Sequence, residues 1–150
     1  MFLECKIPPL IVAFSVGLIM WTVSQISSSP ALPNHISVSI ALFLLASAVA
    51  LLAVINFKKA KTTVDPRYPE KTTELVIAGI YKYSRNPMYL AFFLWLIAFA
   101  AYLSNVYALL ISPVFILYMN RFQIAPEERS LETLFGNSYH AYKKQTRRWL

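Results

Sequence analysis

Long uncharged runs of apolar residues dominate the pattern of hydrophobic and polar positions along the chain. No Asp, Glu, Lys or Arg occurs between Ile7 and Phe57, and none occurs between Asn86 and Asn120. A helix needs about 20 apolar residues to cross the hydrocarbon core of a bilayer, so each run is long enough for two crossings. The pattern therefore predicts helices embedded in lipid rather than the core of a water-soluble domain.

Polar residues and prolines divide each run into two helices. A serine- and proline-rich stretch at 27–34 interrupts the first run, and Ser104 with Asn105 marks the expected turn in the second. A single helix from Pro87 to Asn120 would be about 50 Å long, too long for one crossing. Pro113 predicts a kink in the last helix. We expect one all-α membrane domain over 1–150, with a tight hairpin in its second half and short tail helices; its transmembrane helices lie at about 10–26, 36–57, 87–103 and 106–120, its linker at 58–86 and its tail at 121–150.

Composition and charge support a membrane protein and suggest its orientation. Of the 150 residues, 57% are hydrophobic and 14% are charged, against about 25% charged in a typical soluble domain. The 14 basic residues outnumber the 7 acidic ones, and all of them fall before the first helix, in the linker or in the tail. Because cytoplasmic loops are enriched in Lys and Arg, we expect a multi-pass protein with both termini and the active site in the cytoplasm. This sorting explains the net charge of +7 without a nucleic-acid partner.

The alternative of a cleaved signal peptide is weakened by an amino-terminal region with one Lys and one Glu.

Several kinds of site are disfavoured by the residues available. Cys5 is the only cysteine, and the two histidines, His35 and His140, lie far apart without acidic partners at ligand spacing, so no metal site is expected. Three scattered glycines do not make a phosphate-binding loop or a dinucleotide fingerprint. The uncharged runs also lack the intramembrane ionisable residue that a small transporter needs for coupling.

The segment from Gly79 to Tyr89 is the first candidate for chemistry. Gly79 permits a positive φ or a close backbone approach, and Pro87 suits the first position of a helix. Tyr81 and Tyr89 are placed either to cover a flat base or to form an interfacial aromatic belt, in which Arg85 would snorkel to the surface. The sequence leaves both readings open.

The tail is the second candidate. Pro126 and the acidic pair Glu127 and Glu128 resemble a helix start, with a stop at Gly136 and a second short helix from Ser138. The acids either complement the helix dipole in solvent or hold a ligand ammonium group. The basic cluster at 143–148 either contacts anionic lipid or includes an arginine that holds a substrate anion. The hairpin is expected to bring this tail beside the Gly79–Tyr89 segment.

Two ordered motifs in these segments resemble a known family. They are Gly79-x-Tyr81 with Arg85-Asn86-Pro87-Met88-Tyr89, and Glu127-Glu128-x-x-Leu131-x-x-x-Phe135-Gly136-x-x-Tyr139-x-x-Tyr142. Together they resemble the integral-membrane isoprenylcysteine carboxyl methyltransferase and phospholipid methyltransferase family, over about 72–148. The resemblance implies a methyltransferase that uses S-adenosylmethionine, in a pocket built from the cytoplasmic ends of helices.

The resemblance also implies which residues serve the cofactor. Asn86 stands where the family usually has histidine, and asparagine does not titrate near neutral pH. For the substrate anion the nearest candidate is Arg121, with Gln123 as an alternative at the equivalent place. The residues carried over as cofactor-binding are Thr73, Glu74, Leu75, Val76, Tyr81, Asn86, Pro87, Met88, Tyr89 and Glu127.

The acceptor is expected to be lipophilic, either a small molecule or a lipidated one, taken from the membrane. A carboxylate is already ionised at neutral pH, whereas a phospholipid ammonium must first lose a proton. The motifs show no obvious buried base, which favours an isoprenylcysteine-like carboxylate or a thiol. The alternatives are N-methylation of a phospholipid amine, or a non-catalytic membrane scaffold with the same fold.

Overall fold

The chain folds as a bundle of helices. A computed structural model describes residues 4–30, 35–60 and 74–150, and it contains no strand in those ranges. Two short connecting segments are helical as well, a 3₁₀ turn at Gly79–Lys82 and a π-helical segment at Met119–Ile124. The α-helices are α1 (Pro9–Ile26), α2 (His35–Lys59), α3 (Pro87–Tyr102), α4 (Val106–Ile111), α5 (Pro113–Tyr118) and α6 (Ala125–Gln145).

Helix length and composition agree with the predicted fold class. In the described residues, three helical stretches are long and apolar enough to cross a membrane: Pro9–Ile26, His35–Lys59 and the continuous stretch Val106–Gln145. Helix α3 is shorter, at 16 residues, and apolar throughout. The predicted fold class, an all-α membrane protein with about four apolar helices, is confirmed, and three of the described stretches are long enough to cross a membrane.

Helix α3 lies at the centre of the bundle. It packs against α2 on one side and against α1 and α4 on others. Buried alanines on α2 and α3 allow the two backbones to approach, as is common between helices in membranes. Two side-chain hydrogen bonds join the pair: Ser39 Oγ donates to the Ala98 carbonyl at 2.8 Å, and Trp95 Nε1 donates to Ser47 Oγ at 3.2 Å.

The turn between α3 and α4 forms where the sequence places it. Ser104 has a φ of 50°, and the Asn105 side chain caps α4 by accepting from the Ala108 amide at 3.0 Å. The Asn105 amide also donates to Ser27 Oγ at 3.1 Å. These polar contacts satisfy backbone groups at the end of the bundle that carries no basic residue among those described.

The last crossing differs from the predicted helix and loop. It breaks at Ser112, directly before Pro113, and then stays helical through the π segment into α6. Pro126 therefore does not begin a helix after a loop, as the sequence suggested. Proline has no amide to donate to the carbonyl four residues earlier, so the Phe122 carbonyl is freed and accepts from the Cys5 amide at 3.0 Å. This bond ties the amino-terminal segment to the last helix.

Gly136 interrupts α6 as the sequence predicts. Its φ of 48° and ψ of −120° are non-helical, so the helical residues before and after it belong to two segments with different directions. The turn lets the following residues, from Ser138 onward, fold back toward α3. The charged end of the bundle then comprises the start of α1, the end of α2, the 3₁₀ turn, the start of α3 and the tail.

Gly79 packs directly on α2, and this gives a stability prediction. Its φ is 61°, and an added Cβ would overlap the Asn56 side-chain amide, whereas a Cβ at Gly136 would meet no atom within 4 Å. The positive φ strains any other residue at both positions, but Gly79→Ala also displaces an Asn56 side chain that donates to the Leu52 carbonyl. We expect a larger fall in melting temperature for Gly79→Ala than for Gly136→Ala in detergent. Adding Asn56→Ala should remove most of the difference, and equal losses in the two single variants would contradict this packing.

Candidate active site

The first turns of α3 and α6 meet at a tyrosine and a glutamate. Tyr89, buried near the start of α3, donates its hydroxyl to Glu127 Oε2 at 2.9 Å. Gln123, one turn before Glu127, is buried and hydrogen-bonds the Tyr89 side chain. The helical hairpin therefore assembles a polar group from residues 38 positions apart, at the boundary between the apolar helices and the charged tail.

Glu127 is a carboxylate in surroundings that disfavour its charge. Burial raises its pKa, the Tyr89 hydrogen bond opposes that rise, and the neighbouring Glu128 charge adds to it, which leaves a pKa of about 7. In the described part of the chain Glu127 makes no ion pair with Lys or Arg. The motifs thus do contain a partly buried carboxyl group that titrates near neutral pH, and the expectation that they lack one is wrong.

The adjacent Glu128 has the opposite environment. Arg85 Nη2 lies 2.9 Å from Glu128 Oε1, and Arg148 Nη2 lies 2.6 Å from Glu128 Oε2. Burial works against the charged form, but the hydrogen bonds from Arg148 and Arg85 outweigh it and lower the pKa of Glu128. The side chains of Arg85 and Glu128 are each 9% exposed, so Arg85 does not snorkel and Glu128 does not face solvent. The two neighbouring acids therefore differ in their partners: Glu128 is paired with two arginines, whereas Glu127 is not paired with either of them.

The end of the tail lies across the loop that precedes α3. The Arg85 amide donates to the Arg147 carbonyl at 3.0 Å, and the Asn86 side-chain amide donates to the Arg148 carbonyl at 2.9 Å. Farther along the loop, Tyr142 Oη donates to the Tyr81 carbonyl at 2.7 Å. We call residues 142–149, which make these contacts, the tail clamp. The clamp holds Arg148 beside Glu128, so it is part of the site and not only a basic surface for lipid.

Tyr81 joins the site from the 3₁₀ turn. Its ring is buried and meets the Phe57 ring edge-on, with centroids 5.3 Å apart. Burial and then the Glu127 charge raise the pKa of Tyr81, so its phenol is neutral at physiological pH. Tyr81 and Tyr89 are both enclosed by protein, which is not the environment of an aromatic belt facing lipid.

The structure brings some of the predicted cofactor residues together. Tyr81, Asn86, Pro87 and Tyr89 are buried around the start of α3, and Glu127 joins them from α6. Met88, Leu75 and Val76 are half-buried, whereas Glu74 is exposed. Thr73 lies outside the described residues. Their role toward a cofactor stays a prediction.

Arg121 has a different setting from the buried group. Its side chain is 50% exposed, its Nη1 lies 3.7 Å from Glu4 Oε1, and its guanidinium lies 5.7 Å from the centre of the Phe122 ring. The alternative, Gln123, lies beside Tyr89. Sequence reasoning underrated Arg85 and Arg148, because a charge pattern does not reveal how far a side chain is exposed. Arg85 stands within the first motif, which was a signal, whereas Arg148 lies six residues beyond the second motif.

The buried ion cluster gives a matched pair of stability predictions. Replacing Glu128 by Gln leaves Arg85 without its charge partner, a change that costs about 3–5 kcal/mol in buried pairs. Glu132, on the same helix, pairs with Lys143 at 2.6 Å at an exposed site, so Glu132→Gln should change little. Thermal unfolding of the two variants and the unaltered protein tests this. Similar melting temperatures for all three would show that the cluster contributes no net stability.

The raised pKa of Glu127 predicts how stability depends on pH. Because the folded pKa is about 7 and the ordinary value is 4.5, the folded state binds the proton more tightly. The contribution of the protonated Glu127 to the free energy of unfolding is fully present below pH 4.5. This contribution is lost as the pH rises toward 7, by up to about 3 kcal/mol. The melting temperatures of Glu127→Gln and of unaltered protein are to be compared from pH 4 to 8. As the pH rises, the variant should become the more stable of the two, and the difference should become constant above about pH 7. A difference independent of pH would contradict the assignment.

Comparisons with known proteins identify the family of the chain. Residues 34–138 match the family model described as phospholipid methyltransferase. An uncharacterized protein of Haemophilus influenzae is 49% identical over 63 residues, which are 42% of this chain and the whole of that protein. A protein-S-isoprenylcysteine O-methyltransferase of Schizosaccharomyces pombe is 40% identical over 72 residues, 47% of this chain, and the match covers only 30% of the yeast protein. No solved structure matches the chain.

The match to the family model spans well over half of the chain and includes α2, the Gly79–Tyr89 segment, the hairpin and the acidic pair. The chain belongs to the phospholipid methyltransferase family.

Proposed function

We propose that the protein transfers a methyl group from S-adenosylmethionine to a lipophilic acceptor at the cytoplasmic face of a membrane. The observation that carries this proposal is the contrast between the two adjacent glutamates. Glu128 is neutralised by two arginines, whereas Glu127 is partly buried with no basic partner among the described residues. A carboxylate in that position suits a cationic ligand, since a cation would restore the charge balance that burial disturbs.

S-adenosylmethionine fits this site in charge. Its ammonium and sulfonium groups are cations that Glu127 can hold. The Asn86 side-chain amide donates to the Arg148 carbonyl. We therefore assign Asn86 a positioning role, because this bond fixes the tail clamp that holds Arg148 beside Glu128. The remaining predicted cofactor residues lie on the segment leading into α3.

The cofactor supplies a methyl group already activated on sulfur. What the protein must add is placement, because an in-line displacement needs the nucleophile about 3 Å from the methyl carbon and water kept out. Tyr89, which is itself hydrogen-bonded to Gln123, orients the Glu127 carboxylate through its hydroxyl group. The basic residues of the linker and tail favour a cytoplasmic location for this end.

The acceptor is a lipid or a lipidated molecule with an ionised nucleophile, a carboxylate or a thiolate. If Glu127 is engaged by the cofactor, no free base remains to deprotonate an ammonium, which supports such an acceptor. N-methylation of a phospholipid amine is the second candidate. It is favoured by the description of the family model and by a pKa near 7 in Glu127, which would suit a proton acceptor.

Cofactor binding tests the proposal directly. Glu127→Gln should weaken binding of S-adenosylmethionine about 10- to 100-fold at pH 7.5, because a charge-assisted hydrogen bond is worth about 1.5–3 kcal/mol. Glu132→Gln is the control and should bind normally. Isothermal titration of purified protein with S-adenosylmethionine and with S-adenosylhomocysteine, which lacks the sulfonium charge, gives the readout. A loss for both ligands places Glu127 on the ammonium group, and a loss for the first alone places it on the sulfonium.

Unaltered protein that is folded and binds neither ligand would overturn the enzyme proposal in favour of a scaffold. Where binding is found, the methyl product separates the two acceptors. Membranes incubated with the methyl-labelled cofactor yield base-labile methyl ester if the nucleophile is a carboxylate and base-stable methyl thioether if it is a thiolate. Base-stable label in phospholipid identifies an amine. Label in none of these three fractions would contradict all the acceptor assignments.

A further inference from the structure

Gln123 is a polar residue buried where the last crossing enters the charged end of the bundle. It is 1% exposed and lies in the last turn of the π-helical segment Met119–Ile124. Burying a side-chain amide costs free energy unless its hydrogen bonds are made inside the protein. Single π-helical turns within α-helices occur frequently at functional sites. The partners of the Gln123 amide therefore indicate what its burial serves.

The Gln123 amide has a partner for each of its two hydrogens. Its Nε2 lies 3.8 Å from Cys5 Sγ, within reach of a weak hydrogen bond to sulfur. The Tyr89 hydroxyl donates its single hydrogen to Glu127 Oε2, so the bond between Gln123 and Tyr89 must run from the amide to the phenol oxygen. An amide engaged in this way is not placed to hold a substrate anion, the alternative role that the sequence left to Gln123.

Gln123 and Glu127 both reach Tyr89, because residues four apart lie on the same face of a helix. Tyr89 Oη lies 2.9 Å from Glu127 Oε2. No hydrogen bond engages Glu127 Oε1 within the part of the chain that the structure describes. The protein therefore holds one oxygen of this carboxylate and leaves the other to a ligand.

We propose that Gln123 is a positioning residue: it fixes the Tyr89 hydroxyl on Glu127 Oε2, so that Oε1 receives the cationic group of the cofactor. That the ligand is S-adenosylmethionine rests on the proposed function. Gln123 acts on the carboxylate through the phenol. Its amide hydrogen occupies the phenol oxygen, which restricts rotation of the hydroxyl group. It also strengthens the bond that the hydroxyl donates, because hydrogen bonds in a chain polarise one another.

The titration of Glu127 is separable from that of the groups that face it. These groups are Glu128 beside it on α6, Tyr81 in the 3₁₀ turn, Tyr89 on α3 and Tyr139 farther along α6. Burial raises the pKa of each tyrosine. Burial also disfavours the charge of Glu128, but hydrogen bonds from two arginines outweigh it and lower its pKa. A midpoint near neutral pH in this group therefore belongs to Glu127.

The pH midpoint of Glu127 measures the effect of Gln123 without any ligand. Gln123→Met keeps a flexible side chain of similar length and removes the amide donor. Carbon-13 NMR of glutamate-labelled protein in detergent gives the midpoint, and the Glu127 signal is the one that Glu127→Gln removes. We expect the midpoint to rise by about 0.5–1 in pH, because the weakened Tyr89 bond stabilises the ionised carboxylate less. Gln25→Met, at an exposed position of α1, is the matched control and should leave the midpoint unchanged.

A double-mutant cycle tests whether Gln123 acts through Tyr89. Tyr89→Phe removes the hydroxyl and should raise the midpoint further than Gln123→Met does. Adding Gln123→Met to Tyr89→Phe should then cause no further rise. A purely structural role for Gln123 would lower the melting temperature and leave the midpoint in place. An unchanged midpoint in Gln123→Met, or a rise of equal size in both backgrounds, would overturn the proposal.

Glutamine NMR covers the case in which Gln123→Met does not fold. With nitrogen-15 in the glutamine side chains, Tyr89→Phe should shift the assigned amide signal of Gln123, because the amide loses its acceptor. Tyr102→Phe, at a 61% exposed position at the other end of α3, is the control and should not shift it. A Gln123 signal that is unmoved in Tyr89→Phe would contradict the proposal.

Cofactor binding separates this proposal from the proposed function. Gln123→Met should weaken binding of S-adenosylmethionine about 3- to 10-fold at pH 7.5, and Gln25→Met should bind it normally. Absence of binding in the unaltered protein would contradict the proposed function, while the rise in the midpoint would still support the role of Gln123 toward Glu127. Normal binding in Gln123→Met together with a raised midpoint would overturn the assignment of Oε1 to the cofactor.

Discussion

The ion cluster of Arg85, Glu128 and Arg148 is the interaction on which the charged end of the bundle depends. These residues come from three separate places: the loop before α3, the start of α6 and the end of the chain. The cluster therefore joins both halves of the second hairpin to the tail clamp. Desolvating three charges is unfavourable, and the cluster compensates with short contacts on both carboxylate oxygens.

The cluster engages Glu128 but not the neighbouring acid, Glu127. Glu127 directly precedes Glu128 on α6, so its side chain is rotated by about 100° around the helix axis. The rotation alone moves it from the arginines to Tyr89 and Gln123, where burial dominates and the pKa rises to about 7. Two adjacent glutamates in a bundle with few polar residues thus have pKa values shifted in opposite directions. The sequence shows the dipeptide, but the facing residues that distinguish its members come from distant parts of the chain.

Features governed by local chemistry were predictable from the sequence. The uncharged runs predicted the membrane helices, Ser104 and Asn105 marked the hairpin, and Gly136 marked the break in α6. Features governed by long-range packing were not. The sequence indicated a helix start at Pro126, because proline suits that position, yet the same proline also permits a continuous helix when another segment satisfies the freed carbonyl. The burial of Arg85 and Glu128 depends likewise on where the last eight residues lie.

The hydrogen bond from Cys5 to the Phe122 carbonyl joins the two halves of the chain near its beginning and near its end. During synthesis α1 enters the membrane long before the residues that complete its amino-terminal end have been made. The bond can form only after the final hairpin has been synthesised and inserted, so the amino-terminal segment is tied to the bundle late in assembly.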